Sequence, residues 1–206
     1  SALSIATRER IHWLCSKAKG DRILDVGCSQ GISSIILGRE GRNVTGIDID
    51  DRAISFAKEK LGLESPQVQK LVDFLVADFL TTDIAQESYD TVILSEILEH
   101  LLFPNEVIDR ACTVLRREGQ LIVSVPFGVN DSPDHKRTYY GVRLVTELAT
   151  RFRFEDRIMI KAGRLQWLCI SCRSRGPNET LANDELDAMY DWFEFKICER
   201  ERMLME

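Results

Sequence analysis

Short apolar runs alternate with amphipathic stretches along the first two thirds of the chain. The apolar runs predict strands at residues 22–26, 43–47, 70–77, 89–94 and 121–125. Apolar residues at helical spacing predict helices between them, for example at residues 53–61 and 105–117. Strands that alternate with helices in this way indicate a parallel sheet covered on both faces.

The pattern changes after the fifth predicted strand. Residues 127–140 form a polar segment that is long enough to suggest a functional loop, and a helix is predicted at 141–151. Two further apolar runs, at 153–160 and 166–172, are separated by a short glycine-containing turn and predict an antiparallel hairpin.

Three units follow from this pattern. Residues 1–20 are predicted to form an N-terminal cover helix, residues 21–175 one α/β domain, and residues 176–206 a helical appendage that follows the break at Gly176-Pro177-Asn178. The appendage has an apolar stripe between Leu186 and Leu204. Two hypotheses fit that stripe equally: it packs on the domain, or it joins the chain to a second copy or a neighbouring domain.

Composition excludes several classes of protein. The 206 residues carry 27 basic and 33 acidic side chains, a net charge of -6, so nucleic acid is not the expected partner. No apolar run approaches the roughly 18 residues of a membrane span. The six cysteines lie among apolar neighbours and indicate reduced thiols and a cytoplasmic location, and we interpret Cys169 and Cys172 as core residues rather than zinc ligands.

A glycine-containing loop joins the first predicted strand to the first predicted helix. It reads Asp25-Val-Gly27-Cys-Ser29-Gln-Gly31, and such a turn lets a ligand approach backbone amides at a helix N-terminus. The spacing does not give the G-x-G-x-x-G pattern of a dinucleotide site, so NAD is disfavoured. The Asp25 carboxylate would repel a pyrophosphate and would suit an ammonium group instead.

A second acidic position follows the next predicted strand. Asp48 stands at that strand end, where its carboxylate can accept two hydrogen bonds from a ribose diol. Asp50 is predicted to cap the helix that comes next.

Together these motifs resemble the class I S-adenosylmethionine-dependent methyltransferases over roughly residues 8–175. The family motif is D/E-x-G-x-G-x-G, and Ser29 replaces its central glycine here. The resemblance implies a Rossmann-like, doubly wound, mostly parallel seven-stranded sheet with an antiparallel terminal hairpin, followed by the C-terminal helix. It also implies S-adenosylmethionine as cofactor and S-adenosylhomocysteine as product. The implied cofactor-binding residues are Asp25, Gly27, Cys28, Ser29, Gly31, Asp48, Ile49, Asp78, Phe79 and Ser95, with Asp78 at the adenine amino group.

Acceptor chemistry is predicted at the end of the fourth strand. The segment 89–101 resembles a large branch of this family that includes the ubiquinone-pathway O-methyltransferases. Its Glu96, Glu99 and His100 are spaced to share one face of a helical turn, and His135 lies on the segment after the fifth strand, at the same sheet edge. The catalytic candidates are His135, Glu96 and His100, with His135 as general base because imidazole titrates near neutral pH.

The same residues also resemble the metal site of the small-RNA 3'-terminal 2'-O-methyltransferases. In that family two glutamates and two histidines hold a divalent ion, and the matching residues here are Glu96, Glu99, His100 and His135. Those enzymes typically carry a second histidine after the first, but Leu101 occupies that position. A divalent metal is therefore not expected, although the motif leaves the option open.

Three functions are compatible with the sequence. The first is O-methylation of a small hydroxylated molecule or a glycan, with residues 127–140 forming part of the acceptor pocket. The second is metal-dependent methylation of an RNA 3' end, and the third is a non-catalytic cofactor-binding partner subunit that acts through its terminal helix. A dimer or a neighbouring domain bound through that helix remains a prediction.

Overall fold

The computed structural model describes residues 1–129, 132–176 and 179–205, with side chains as far as residue 199. Pro177 and Asn178 of the predicted break lie outside the described residues, as does Asp131.

Seven strands form one sheet in the order β3-β2-β1-β4-β5-β7-β6. The first five strands of that order run parallel, whereas β5, β7 and β6 pair antiparallel. This arrangement confirms the predicted doubly wound sheet with a terminal hairpin. The strands are β1 (Arg22–Val26), β2 (Asn43–Asp48), β3 (Val72–Val76), β4 (Tyr89–Ser95), β5 (Leu115–Pro126), β6 (Phe152–Ala162) and β7 (Leu165–Ser174).

Helices cover both faces of the sheet. They are α1 (Ala2–Lys17), α2 (Ile32–Arg39), α3 (Asp51–Leu61), α4 (Pro66–Leu71), α5 (Pro104–Val114), α6 (Gly141–Ala149) and α7 (Asn183–Met205), with a short helical turn at Leu98–His100. Neighbouring residues of β4 point to opposite faces: Val92 and Leu94 pack with α5, α6 and α7, and Ile93 packs with α1, α2 and α3. Because both faces are buried, the central strands carry runs of consecutive apolar residues, such as Val92, Ile93 and Leu94 of β4, instead of alternating apolar and polar residues.

Two element boundaries differ from the predictions. Ser65 caps a helix that begins at Pro66, so α4 occupies part of the predicted strand and β3 begins only at Val72. The helix predicted to reach residue 117 ends at Val114 because Leu115 already pairs with Tyr89 in the sheet. A local helix cap outweighs the apolar pattern in the first place, and pairing in the sheet outweighs it in the second.

The six cysteines are free, and Cys169 and Cys172 are both fully buried in β7. Their packing agrees with a role in the core. Among the described residues, no helix is long and apolar enough to cross a bilayer.

The first half of α7 packs on the domain. Met189 and Phe193 are almost completely buried, and Leu186, Tyr190 and Trp192 pack against the same core cluster. This packing agrees with the hypothesis that the apolar stripe packs on the domain. Further along the helix Phe195 and Ile197 are exposed.

Candidate functional site

The loop between β1 and α2 has a left-handed backbone at three alternate positions. Gly27, Ser29 and Gly31 have φ angles of 62°, 49° and 75°. A Cβ at residue 31 would lie 2.4 Å from Cζ of Phe74, so the last glycine is required by packing as well as by its backbone. Ser29, which stands at the central glycine of the family motif, takes a left-handed conformation at a cost in backbone strain.

Asp48 is held in place by two backbone amides. One carboxylate oxygen accepts a hydrogen bond from the Ser29 N–H at 2.8 Å, and the other accepts one from the Asp50 N–H at 2.9 Å. Asp50 in turn accepts from the Arg52 N–H and caps α3, as predicted. The glycine loop and the end of β2 are therefore joined through one carboxylate.

Asp25 is buried beneath the same loop, with only 3% of its surface exposed. Burial raises the pKa of its carboxyl to about 6; the charge of Asp48 adds to the rise, and a 2.7 Å hydrogen bond from Ser34 Oγ opposes it. A buried carboxylate with one neutral partner is suited to bind a cation.

Two cavities meet at Gly27. One, of about 280 Å³, is mainly apolar and is lined by Asp48, Ile49, Asp78 and Phe79 among others. The other, of about 360 Å³, is more polar and is lined by Asp25, Cys28, Ser29, Ser95 and Glu96 together with Arg10 of α1. Of the ten predicted cofactor-binding residues, nine line one cavity or both; the tenth, Gly31, begins α2.

Glu96 follows directly after β4, and its carboxylate contacts three side chains. Its carboxylate forms an ion pair with Arg10 at 2.8 Å and accepts hydrogen bonds from Ser124 Oγ at 3.2 Å and from Trp167 Nε1 at 2.8 Å. Its φ angle of 57° is also left-handed, and its N–H donates to the Ser124 carbonyl. These contacts connect α1, β4, β5 and β7 at the edge of the polar cavity.

Glu99, His100 and His135 form a separate cluster. One nitrogen or oxygen from each lies within 4.8 Å of the others, and the two imidazole rings meet edge to face with centroids 4.9 Å apart. The segment with His135 is held there because the Lys136 and Arg137 N–H groups donate to the Glu99 carbonyl. Three of the four predicted metal-ligating residues thus meet, whereas Glu96 is paired with Arg10 instead.

Glu99 is the unusual member of that cluster. It is 1% exposed, and neither carboxylate oxygen has a hydrogen-bond partner among the described residues. Burial raises the pKa of this carboxyl to about 8, and the nearby charge of Glu96 contributes in the same direction. An unpartnered buried carboxyl group is expected to stay protonated at neutral pH unless a cation joins it.

Known proteins with sequences similar to this chain are methyltransferases. Residues 24–123 match a family model described as a methyltransferase domain. The ubiquinone biosynthesis O-methyltransferase of Bordetella avium is 37% identical over 113 residues, which cover 53% of this chain and 45% of that enzyme. The enzyme of the same name from Albidiferax ferrireducens is 32% identical over 168 residues, 79% of this chain and 63% of its own length.

Solved structures show the same fold at lower identity. The 1,6-didemethyltoxoflavin-N1-methyltransferase of Burkholderia thailandensis, solved with S-adenosylhomocysteine, has a TM-score of 0.70 at 18% identity, covering 83% of this chain and 79% of that one. The N-methyltransferase NodS of Bradyrhizobium japonicum, also solved with S-adenosylhomocysteine, has a TM-score of 0.67 at 20% identity, covering 83% and 88%. The chain belongs to the class I S-adenosylmethionine-dependent methyltransferases.

The match covers only part of the length of these relatives. The matched part spans less than half of the Bordetella avium enzyme and less than two thirds of the one from Albidiferax ferrireducens. The activity and acceptor of the whole protein are therefore treated below as proposals.

The sequence analysis missed two residues of this candidate site. Arg10 and Trp167 lie far from the motifs along the chain, yet both contact the Glu96 carboxylate. The helical spacing of α1 predicted a cover helix but did not show which polar side chain faces the site. Only the antiparallel pairing of β7 with β5 brings Trp167 beside the end of β5.

Proposed function

We propose that this domain binds S-adenosylmethionine and methylates a hydroxyl group of a small molecule or glycan. The observation that carries the proposal is the pair of cavities that meet at Gly27, one beside Asp48 and Asp78 and the other beside Asp25. Their linings match the two ends of the cofactor. S-adenosylmethionine would supply a methyl group bonded to a positively charged sulfur.

The residues of the two cavities fit the parts of that cofactor. Asp48, already oriented by the Ser29 amide, would accept hydrogen bonds from the ribose hydroxyls. Asp78 would accept from the adenine amino group, with Ile49 and Phe79 supplying apolar contacts in the same cavity. The buried Asp25 carboxylate would pair with the ammonium group, and Ser95 lies at the same polar end.

His135 is the proposed general base. Transfer forms an O–C bond and breaks an S–C bond, and the acceptor hydroxyl must lose its proton; a free imidazole nitrogen of His135 would take that proton. The His100 imidazole and the Glu99 carboxyl lie beside it and would hold the base and the acceptor in place. Glu96, paired with Arg10, would shape the wall between this cluster and the cofactor.

The names of the relatives support O-methylation over other methyl acceptors, since both act as O-methyltransferases. They do not choose between a small phenol-like molecule and a glycan. The net charge of -6 gives RNA no general attraction, and a catalytic cluster of two histidines and a glutamate argues against a purely non-catalytic partner subunit.

A metal-assisted reaction is the second candidate, and the unpartnered Glu99 carboxylate favours it. Glu99, His100 and His135 offer one carboxylate and two imidazole groups, a donor set that suits Mn, Fe or Zn. A cation there would acidify the acceptor hydroxyl in place of a base. The same three residues therefore serve either version of the proposal.

Two measurements test the proposal in sequence. Calorimetry with S-adenosylhomocysteine tests cofactor binding, and transfer of labelled methyl groups to protocatechuate or to a glycan mixture, followed by mass spectrometry, tests O-methylation. His135→Gln should abolish transfer and retain binding, whereas His12→Gln, on the exposed side of α1, should retain both. Absence of binding would refute the proposal, and binding without transfer to any hydroxyl acceptor would favour the partner-subunit function.

A further inference from the structure

The C-terminal helix contacts both ends of the segment that carries His135. Phe193 of α7 stacks on Phe127, directly after β5, with ring centroids 6.3 Å apart and planes 6° from parallel. On its other side the ring lies against Gly141, the first residue of α6: a Cβ added there would be 2.2 Å from Cδ1 of Phe193. Phe193 is only 2% exposed, so both contacts lie inside the core.

Between those two ends, the described part of the segment is bound to the body of the domain. Gly128 N–H donates to the Tyr139 carbonyl at 2.7 Å, which brings the two ends together. The buried Tyr139 hydroxyl donates to Glu147 of α6 at 3.0 Å. From there the chain leads back to Lys136, whose N–H donates to the Glu99 carbonyl at 2.8 Å, next to His135.

We propose that Phe193 is a positioning residue for the acceptor side of the site. The ring sets the distance between Phe127 and Gly141. The hydrogen bonds at Tyr139 and Lys136 hold the segment between them against the domain, so a change in that distance displaces His135. The inference rests on the proposed function only in giving His135 a role in transfer; the packing relation is independent of it. Packed cores respond to the loss or gain of even one methyl group, so changes at Phe193 should reach His135.

The effect should be confined to the acceptor side. The residues that line the two cofactor cavities come from α1, the ends of β1, β2 and β4, the glycine loop, the start of α2, the segments that follow β2, β3 and β4, and Val107 of α5; within the described residues none belongs to α7. A partner or neighbouring domain that bound the exposed part of α7, near Phe195, would therefore act on the placement of His135 and leave cofactor affinity alone.

Nuclear magnetic resonance of the histidine side chains tests this directly. The chain has three histidines, and His12 on α1 is an internal reference. Phe193→Ala and Gly141→Ala should each shift the imidazole signals of His135 and His100 and leave that of His12 unchanged. Calorimetry with S-adenosylhomocysteine should show affinity within about twofold of the unaltered chain, because the cavities lie apart from the altered contacts.

Matched variants separate positioning from general destabilisation. Phe193→Leu, which keeps an apolar contact, should give a smaller shift than Phe193→Ala, and it keeps the test available if either alanine variant fails to fold. Adding Gly141→Ala to Phe193→Ala should restore part of the signal position, since the new methyl group occupies vacated space. Phe195 is 58% exposed, so Phe195→Ala is the control and should leave the three histidine signals unchanged.

Two results would overturn the inference. One is an unchanged His135 signal in folded Phe193→Ala or Phe193→Leu. The other is a shift of all three histidine signals together, which would indicate a general loss of structure. If the unaltered chain fails to bind S-adenosylhomocysteine, the proposed function is refuted while the histidine signals still decide the packing relation.

Discussion

The Ser29 N–H donates to the Asp48 carboxylate over 2.8 Å and so joins the glycine loop to the end of β2. Ser29 reaches that position through a left-handed backbone, with a φ angle of 49°. The serine at the family's central glycine position therefore has a left-handed backbone like that of Gly27 and Gly31 on either side of it. The Ser29 backbone is strained, and in this strained conformation its N–H orients the Asp48 carboxylate.

Replacing Asp48 by alanine should weaken binding of S-adenosylhomocysteine at least tenfold. The variant loses hydrogen bonds to the ribose, and each charge-assisted bond contributes about 1.5 to 3 kcal/mol. Calorimetry measures the change. Asp50→Ala is the matched control: it removes the cap of α3 and lowers stability by about 1 kcal/mol, but it should leave affinity nearly unchanged. Equal affinity in Asp48→Ala would show that the cofactor binds elsewhere.

Replacing Ser29 by glycine should raise the free energy of unfolding by roughly 1 kcal/mol, because glycine takes the left-handed conformation without a Cβ penalty. Denaturant titration measures this. Ser55→Gly, in the exposed middle of α3, should instead lower stability by about 0.5 to 1 kcal/mol. If both substitutions destabilise the chain equally, Ser29 is not strained.

Cofactor affinity should depend on pH through Asp25. Its pKa is raised to about 6 in the folded protein, so the carboxyl is protonated below that pH and cannot pair with an ammonium group. Affinity for S-adenosylhomocysteine should rise as pH increases through about 6 and then level off. Asp25→Asn should bind weakly with no such rise, and a flat profile in the unaltered chain would assign the ammonium group to another partner.

Stability should depend on pH through Glu99. The pKa of its carboxyl is raised to about 8, so the stability it contributes is fully present below its unfolded pKa, near 4.5, and is lost as pH rises toward 8. In the presence of a chelator, Glu99→Gln should therefore become increasingly more stable than the unaltered chain over that range. Denaturant titration near pH 5 and pH 9 measures the difference in free energy of unfolding between the variant and the unaltered chain. Glu106→Gln removes the same charge at an exposed position and is the control. A constant difference would contradict the assigned pKa.

Methyl transfer should survive treatment with EDTA. Leu101 stands where the small-RNA methyltransferases that this segment resembles typically carry a second histidine, and Glu96 is paired with Arg10 rather than with the cluster. His135 would then act alone as base. Loss of activity that Mn, Fe or Zn restores would contradict this expectation and would assign Glu99, His100 and His135 to a bound ion.

The local patterns predicted all seven strands in their order along the chain, but they missed α4. Alternating apolar runs predicted a parallel sheet with a terminal hairpin, and the glycines and Asp48 marked the cofactor end of it. These signals are local because strand periodicity, turn glycines and helix caps depend on neighbouring residues. The same signals failed at α4 and at the end of α5, where a cap and a sheet partner outweighed periodicity.

The sequence by itself determined the family and the fold class, and it predicted nine residues that line the two cavities, because these depend on local periodicity and short motifs. The tertiary structure alone decided that Arg10 and Trp167 hold Glu96, that the buried Glu99 carboxylate has no hydrogen-bond partner among the described residues, and that Phe193 packs on both Phe127 and Gly141. These contacts join residues far apart along the chain. These contacts depend on how the helices pack on the sheet and on how its strands pair, and no local pattern encodes either.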